Sequence, residues 1–103
     1  MAREYKFHVY IMTNINRTVL YVGVTSNLEV RTWQHKTGQS QFTAKYNSNR
    51  LVYMEPYSDI RLAKRREWLL KRWRHEWKIE LITKVNPYME DLAKDWYQSL
   101  RKK

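Results

Sequence analysis

Two neighbouring runs of β-branched and aromatic residues do most to limit what this chain can fold into. Residues 5–12 and 19–24 carry Tyr5, Phe7, Val9, Tyr10, Ile11 and then Val19, Leu20, Tyr21, Val22, Val24, and only the polar stretch Thr13-Asn14-Ile15-Asn16-Arg17-Thr18 parts them. Such runs suit a pleated, half-buried surface, and so short a polar gap makes them a β-hairpin. With Thr13 set opposite Thr18, Tyr10 stands directly across from Tyr21 and His8 across from Gly23. Strand alternation then puts these four on one face, with Val9, Ile11, Leu20 and Val22 on the other.

The remaining elements follow from capping and periodicity. Ser26 and Glu29 have capping-box spacing and Gly38 supplies a stop, which predicts a helix over about 27–37. Arg31 and His35, four apart, share one face of it, within reach of a single phosphate. Residues 39–49 are polar and weakly patterned, a loop whose only cation is Lys45, and a third strand over about 50–55 is closed by Pro56. Ser58 or Asp59 caps a long helix to about residue 74, with Ile60, Ala63, Leu70 and Trp73 as an apolar stripe that Leu62 and Leu69 widen. Glu67 borders that stripe. Trp77, Ile79, Leu81 and Ile82 suggest a short amphipathic continuation, Asn86-Pro87 breaks it, and residues 88–100 read as helical before a basic tail. The order predicts an α/β (α+β) fold, a small antiparallel-containing sheet with helices against it, in one domain over 1–103.

Composition narrows the partners. Lys and Arg number 20 against 10 Asp and Glu, a net charge of +10 and a pI of about 10.0. A polyanion is the natural partner, and nucleic acid is the first candidate. Charge alone does not separate this from simple solubility, ribosome association or attraction to anionic lipid. The absence of cysteine excludes disulfides, thiolate zinc sites and cysteine nucleophiles, so a metal must bind through oxygen or imidazole. The charged N-terminus and the lack of an apolar window of ~18 residues predict a cytoplasmic protein with no membrane partner.

Several residues have types suited to phosphodiester chemistry, each with a plainer alternative. Tyr10 and Tyr21 beside Gly23, where no side chain blocks approach, could position and deprotonate a water, or be ordinary strand residues. Arg31 offers a planar fork of donors to a phosphoryl group, and His35 one turn on could act as acid or base; both could equally be a solvated face. Glu67 is a hard-oxygen ligand for one Mg²⁺ or Mn²⁺, or an ion-pair partner of the Lys and Arg around it. Lys36 and Lys45, with Gly23, are candidate nucleic-acid contacts. His8 reads as a strand surface residue and His75 as solvated, and Trp68, Trp73 and Trp77 read as core.

In order and spacing these residues resemble the GIY-YIG nuclease superfamily. His8-Val9-Tyr10, a loop of about ten residues, Tyr21-Val22-Gly23, then Arg31 ten residues after the second tyrosine carry the likeness, with His35 and Glu67 at further matching positions. Small single-domain bacterial members are the most similar, through Tyr21 to Leu28, Arg50-Leu51-Val52-Tyr53, Trp77 to Ile82, Asn86-Pro87 and Asp91-Leu92. One departure is His8, which stands where the eponymous motif has glycine and, opposite Gly23, would narrow the substrate approach.

The resemblance implies a three-stranded antiparallel sheet flanked by helices and a metal-dependent endonuclease acting on nucleic acid, DNA before RNA. It implies Tyr10 as general base assisted by Tyr21 or His35, Arg31 as transition-state stabiliser and Glu67 as ligand of one Mg²⁺ or Mn²⁺. The alternative is a DNA- or RNA-binding module on the same fold that cleaves poorly or not at all.

Overall fold

The computed structural model describes residues 4–98. Its centre is a three-stranded antiparallel sheet in the order β2-β1-β3, built from β1 (Phe7–Thr13), β2 (Leu20–Thr25) and β3 (Arg50–Tyr57). As the middle strand, β1 is covered on both faces, and Val9 to Thr13 are all buried. Val9, Ile11, Val22 and Val52 pack against Ala63, Leu70 and Ile82 of the helices α3 (Ile60–Arg72) and α4 (His75–Val85). On the opposite face Tyr10, Met12 and Leu51 pack against Leu28 of α1 (Leu28–Lys36) and against Ala93 and Tyr97. The predicted division of the hairpin into two faces is therefore present.

Its register is not the predicted one. Tyr10 pairs with Gly23, Met12 with Tyr21 and His8 with Thr25. The Asn14 carboxamide oxygen accepts from the backbone N–H groups of Thr18 and Val19, and Arg17 takes a left-handed φ of 58°. This closes the loop so that Thr13 meets Leu20. The partner moves by two residues, which preserves the faces. His8 consequently lies opposite Thr25 and Pro56, so its imidazole does not narrow the approach at Gly23.

Other boundaries shift for local reasons. Asn27, not Ser26, caps α1, its side chain accepting from Val30 N–H at 3.1 Å, because Thr25 Oγ1 accepts from Asn27 N–H and turns the chain one residue later. Gly38, at φ 78°, ends the helix as predicted. The expected loop over 39–49 contains a short helix, α2 (Gln41–Lys45). Strand β3 continues through Pro56, which an edge strand tolerates because no outer neighbour needs its missing N–H. A bulge between Ile11 and Met12 leaves Val52 as the extra residue of β3.

The long helix stops earlier than predicted, with Trp73 and Arg74 both extended (ψ 151° and 152°), so α4 is a separate helix. Leu62 and Leu69 do not widen the buried stripe; they are 53% and 39% exposed. Nor are the tryptophans uniformly core: Trp73 packs against it, whereas Trp68 and Trp77 are about half exposed, with the guanidinium groups of Arg72 and Arg74 over their rings. Residues 88–97 form turns rather than the predicted helix. Asn86 is the reason: its side-chain amide donates to the carbonyls of Val52 and Glu90 and its oxygen accepts from Glu90 N–H. Asp91 then accepts from Leu51 N–H and Ala93 N–H, tying the segment to the bulge of β3. The basic tail lies outside the described residues.

Candidate active site

Tyr10 reaches its place because of what stands beside it. A side-chain carbon on Gly23 would lie 2.5 Å from both Cζ and the hydroxyl oxygen of Tyr10, so only glycine lets the phenol cross the neighbouring strand. The chain leaves β2 and enters α1 after two residues, which swings the inner face of α1 over that phenol. His35 is buried there, 2% exposed, with Nε2 2.7 Å from the Tyr10 hydroxyl. Its Nδ1 lies 2.8 Å from the Thr43 hydroxyl of α2. The ring of Tyr21 stands 5.2 Å from His35 and 6.3 Å from Tyr10, and Phe42 packs on its other side at 5.4 Å.

Arg31 lies one turn before His35. Its guanidinium donates to Gln34 Oε1 at 2.9 Å and is close enough to Tyr10 to bear on the charge of that phenol. Burial pushes the Tyr10 hydroxyl up to about 12, a rise that Arg31 tempers and that the charges of Tyr21 and Glu67 reinforce. Burial, seconded by Arg31, pulls His35 down to about 4. Around neutral pH the pair is a protonated phenol facing a neutral imidazole.

Glu67 projects from α3, on the opposite layer, and still acts on Tyr10 through space. Its carboxylate is 3.1 Å from Lys71 Nζ and keeps a side-chain exposure of 21%. Among the described residues no group of three or more His, Asp or Glu converges on one point. One half-buried carboxylate suits a hard cation that retains most of its waters, such as Mg²⁺, and suits poorly an ion needing an all-protein cage.

The candidate nucleic-acid contacts are not all gathered here. Gly23 is buried under Tyr10, and Lys45 is exposed on α2, its ammonium over the ring of Tyr46. Lys36 is engaged by the Asp91 carboxylate and the Asn49 carbonyl. It lines a polar cleft of about 650 Å³ with Arg17, Arg50 and Lys94, cations that sequence reasoning did not single out, and with the carboxylates of Glu90 and Asp91. His75 is exposed, as read from sequence, and His8 is half-buried. Thr43 was also missed, since nothing in a polar loop marks one threonine over its neighbours.

Comparisons with known proteins identify the family to which the chain belongs. A family model described as the GIY-YIG catalytic domain matches residues 6–80, a span that holds both tyrosines, Gly23, Arg31, His35 and Glu67. The chain belongs to the GIY-YIG family. It is 36% identical over 81 residues to the UPF0213 protein SH2523 of Staphylococcus haemolyticus, covering 75% of this chain and 94% of that protein. It is 32% identical over 89 residues to the UPF0213 protein CPE1444 of Clostridium perfringens, covering 85% and 95%. The solution NMR structure of the UPF0213 protein BH0048 of Bacillus halodurans superposes with a TM-score of 0.54 at 23% identity, over 86% of this chain and 96% of that one. That likeness speaks for the fold, a three-stranded antiparallel sheet with helices. Among the described residues no helix is long and apolar enough to cross a membrane.

Proposed function

We propose that this chain is an endonuclease that hydrolyses phosphodiester bonds in nucleic acid, DNA foremost, with the help of one divalent cation, Mg²⁺ or Mn²⁺. The observation that carries the reading is the Tyr10–His35 contact at 2.7 Å, set beside Tyr21 and Arg31 over a glycine that clears the space.

Tyr10 serves as the general base. A protonated phenol beside a neutral imidazole cannot act by standing deprotonated, because a free phenolate–imidazolium pair is far uphill when burial penalises both charges. Proton movement therefore accompanies attack. A water proton passes to the Tyr10 oxygen as the Tyr10 proton passes to His35 Nε2, and the water oxygen bonds to phosphorus while the ester P–O bond breaks. The leaving oxygen takes a proton from solvent, and His35 returns its proton through the Tyr10 hydroxyl to solvent, which restores the starting pair. Arg31 places its charge where negative charge grows on the phosphoryl oxygens. Glu67 is the residue that would hold the cation, which supplies neutralisation of phosphate charge. Lys45 and the cleft of Arg17, Lys36, Arg50 and Lys94 hold the backbone through contacts that carry little sequence information.

A second reading rests on exposure. Tyr10 is 1% exposed and Tyr21 is half-buried, so Tyr21 is the phenol that solvent meets first, and Tyr10 with His35 then orients it. Comparing kcat of Tyr10→Phe and Tyr21→Phe separates the two, the larger loss marking the base. The deciding assay is cleavage of labelled single-stranded, duplex and branched DNA and of RNA with Mg²⁺ or Mn²⁺, alongside Glu67→Ala and Arg31→Ala. Metal-dependent cleavage lost in both variants upholds the nuclease, and salt-sensitive binding without cleavage replaces it with a binding module.

A further inference from the structure

Building on that reading, we infer that Thr43 is a positioning residue that fixes the tautomer of His35. Its hydroxyl oxygen accepts from Nδ1–H, which leaves the Nε2 lone pair facing the Tyr10 hydroxyl.

A neutral imidazole has one donor nitrogen and one acceptor nitrogen, and which is which follows from the partner each nitrogen meets. The Tyr10 proton can pass to Nε2 only when Nε2 is bare, so Nδ1 must hold the hydrogen and needs an acceptor. Thr43 is the side chain that meets it, at 2.8 Å, and Thr43 is wholly buried. A hydroxyl can donate or accept, so its own hydrogen must be directed elsewhere. The Ser40 carbonyl, 3.4 Å from Thr43 Oγ1, takes it, as threonine in a helical turn commonly bonds back to the preceding turn. The opposite arrangement, Thr43 donating to Nδ1, would place Nε2–H against the Tyr10 oxygen and leave the phenol proton no acceptor there.

Local structure holds the hydroxyl in register. Gly38 turns the chain out of α1, Ala44 N–H on the Ser40 carbonyl forms the first turn of α2, and Ser48 N–H on the Thr43 carbonyl closes its far end. The polar stretch 39–49 thus exists as a five-residue helix whose buried member faces the imidazole. Thr43 accepts from Nδ1–H before and after His35 gains a proton, so the transfer needs no rearrangement of this contact. A neutral acceptor also does not hold His35 in its charged form, as a carboxylate in that place would.

The test combines a spectrum with kinetics. In the ¹⁵N-labelled full chain around neutral pH, the His35 ring shifts of the wild type are expected to report a hydrogen on Nδ1 and a bare Nε2. Thr43→Val, close in size but without an acceptor, moves the population to the Nε2–H form and lowers kcat for cleavage about 10–100-fold with KM unchanged. Thr43→Ser restores both the tautomer and the rate. A wild-type His35 protonated at Nε2, or a Thr43→Val spectrum with the wild-type tautomer, overturns the inference. Absence of cleavage by the wild type would instead defeat the nuclease reading, while the ring shifts still decide the role of Thr43.

Discussion

The phenol of Tyr10 lies directly across Gly23, so close that one added carbon would stand 2.5 Å from its oxygen. Gly23→Ala must therefore push the ring off His35 or shift the strand. Overpacking of this kind costs typically 1–3 kcal/mol. Thermal unfolding should show that loss, and cleavage should fall well beyond it, since the 2.7 Å contact is broken in molecules that remain folded. A variant as active as the wild type would place the reacting atoms elsewhere.

Stability should depend on pH through His35. Its folded pKa, about 4, lies below the ordinary value of 6.5, so between those values the unfolded chain binds more protons than the native one. Stability is then fully present above pH 6.5 and declines as the pH falls toward 4, by roughly 2–3 kcal/mol. Urea unfolding of the wild type and of His35→Gln across this window tests it. The variant should lose that part of the slope, and parallel slopes would contradict a buried neutral imidazole.

Lys71 competes with any cation for Glu67. Their 3.1 Å pair spans one helical turn, with both side chains partly exposed, and such pairs contribute about 0.3–0.5 kcal/mol. Lys71→Met should therefore tighten Mn²⁺ binding about twofold, read by calorimetry, whereas Glu67→Gln should abolish it. Tight binding that survives Glu67→Gln would move the metal to other residues.

Asn86 is 7% exposed and its side chain makes three hydrogen bonds, two of them as the donor to Val52 and Glu90 carbonyls. Asn86→Ala removes the amide that reaches the buried Val52 carbonyl, at about 1–3 kcal/mol for that group left unsatisfied, and frees the backbone of Glu90 to water. Amide hydrogen exchange should quicken across residues 86–97 before the sheet is affected. Uniform protection in the variant would mean that the segment is held by its apolar contacts alone.

The faces of the hairpin were legible because alternation has a period of two, and any register that differs by two residues keeps it. The pairing was not, because the Asn14 side chain and a left-handed Arg17 set the loop closure. The same holds at other boundaries: Asn27 displaces Ser26 as cap, and the helix breaks at Trp73 without glycine or proline to announce it. Residues 88–97 misread as helix because side chains of Asn86 and Asp91, rather than periodicity, order them. In the candidate site, strand alternation put Tyr10 and Tyr21 on one face and four-residue helical spacing paired Arg31 with His35, but neither pattern says that the two pairs meet; only the family resemblance joined them. Thr43 escaped notice because five helical residues are too few to show a pattern, and the influence of Glu67 on Tyr10 crosses from a separate layer.

Strand β3 leaves one side of its ladder open, and the placement of Pro56 and the Val52 bulge on that strand bears on how the protein behaves when crowded. Proline supplies no N–H for an incoming strand and a bulge spoils the flat edge that strand addition needs. A second copy therefore finds no ready template along β3, and any strand addition to this sheet is steered to β2, the other edge, which carries neither device.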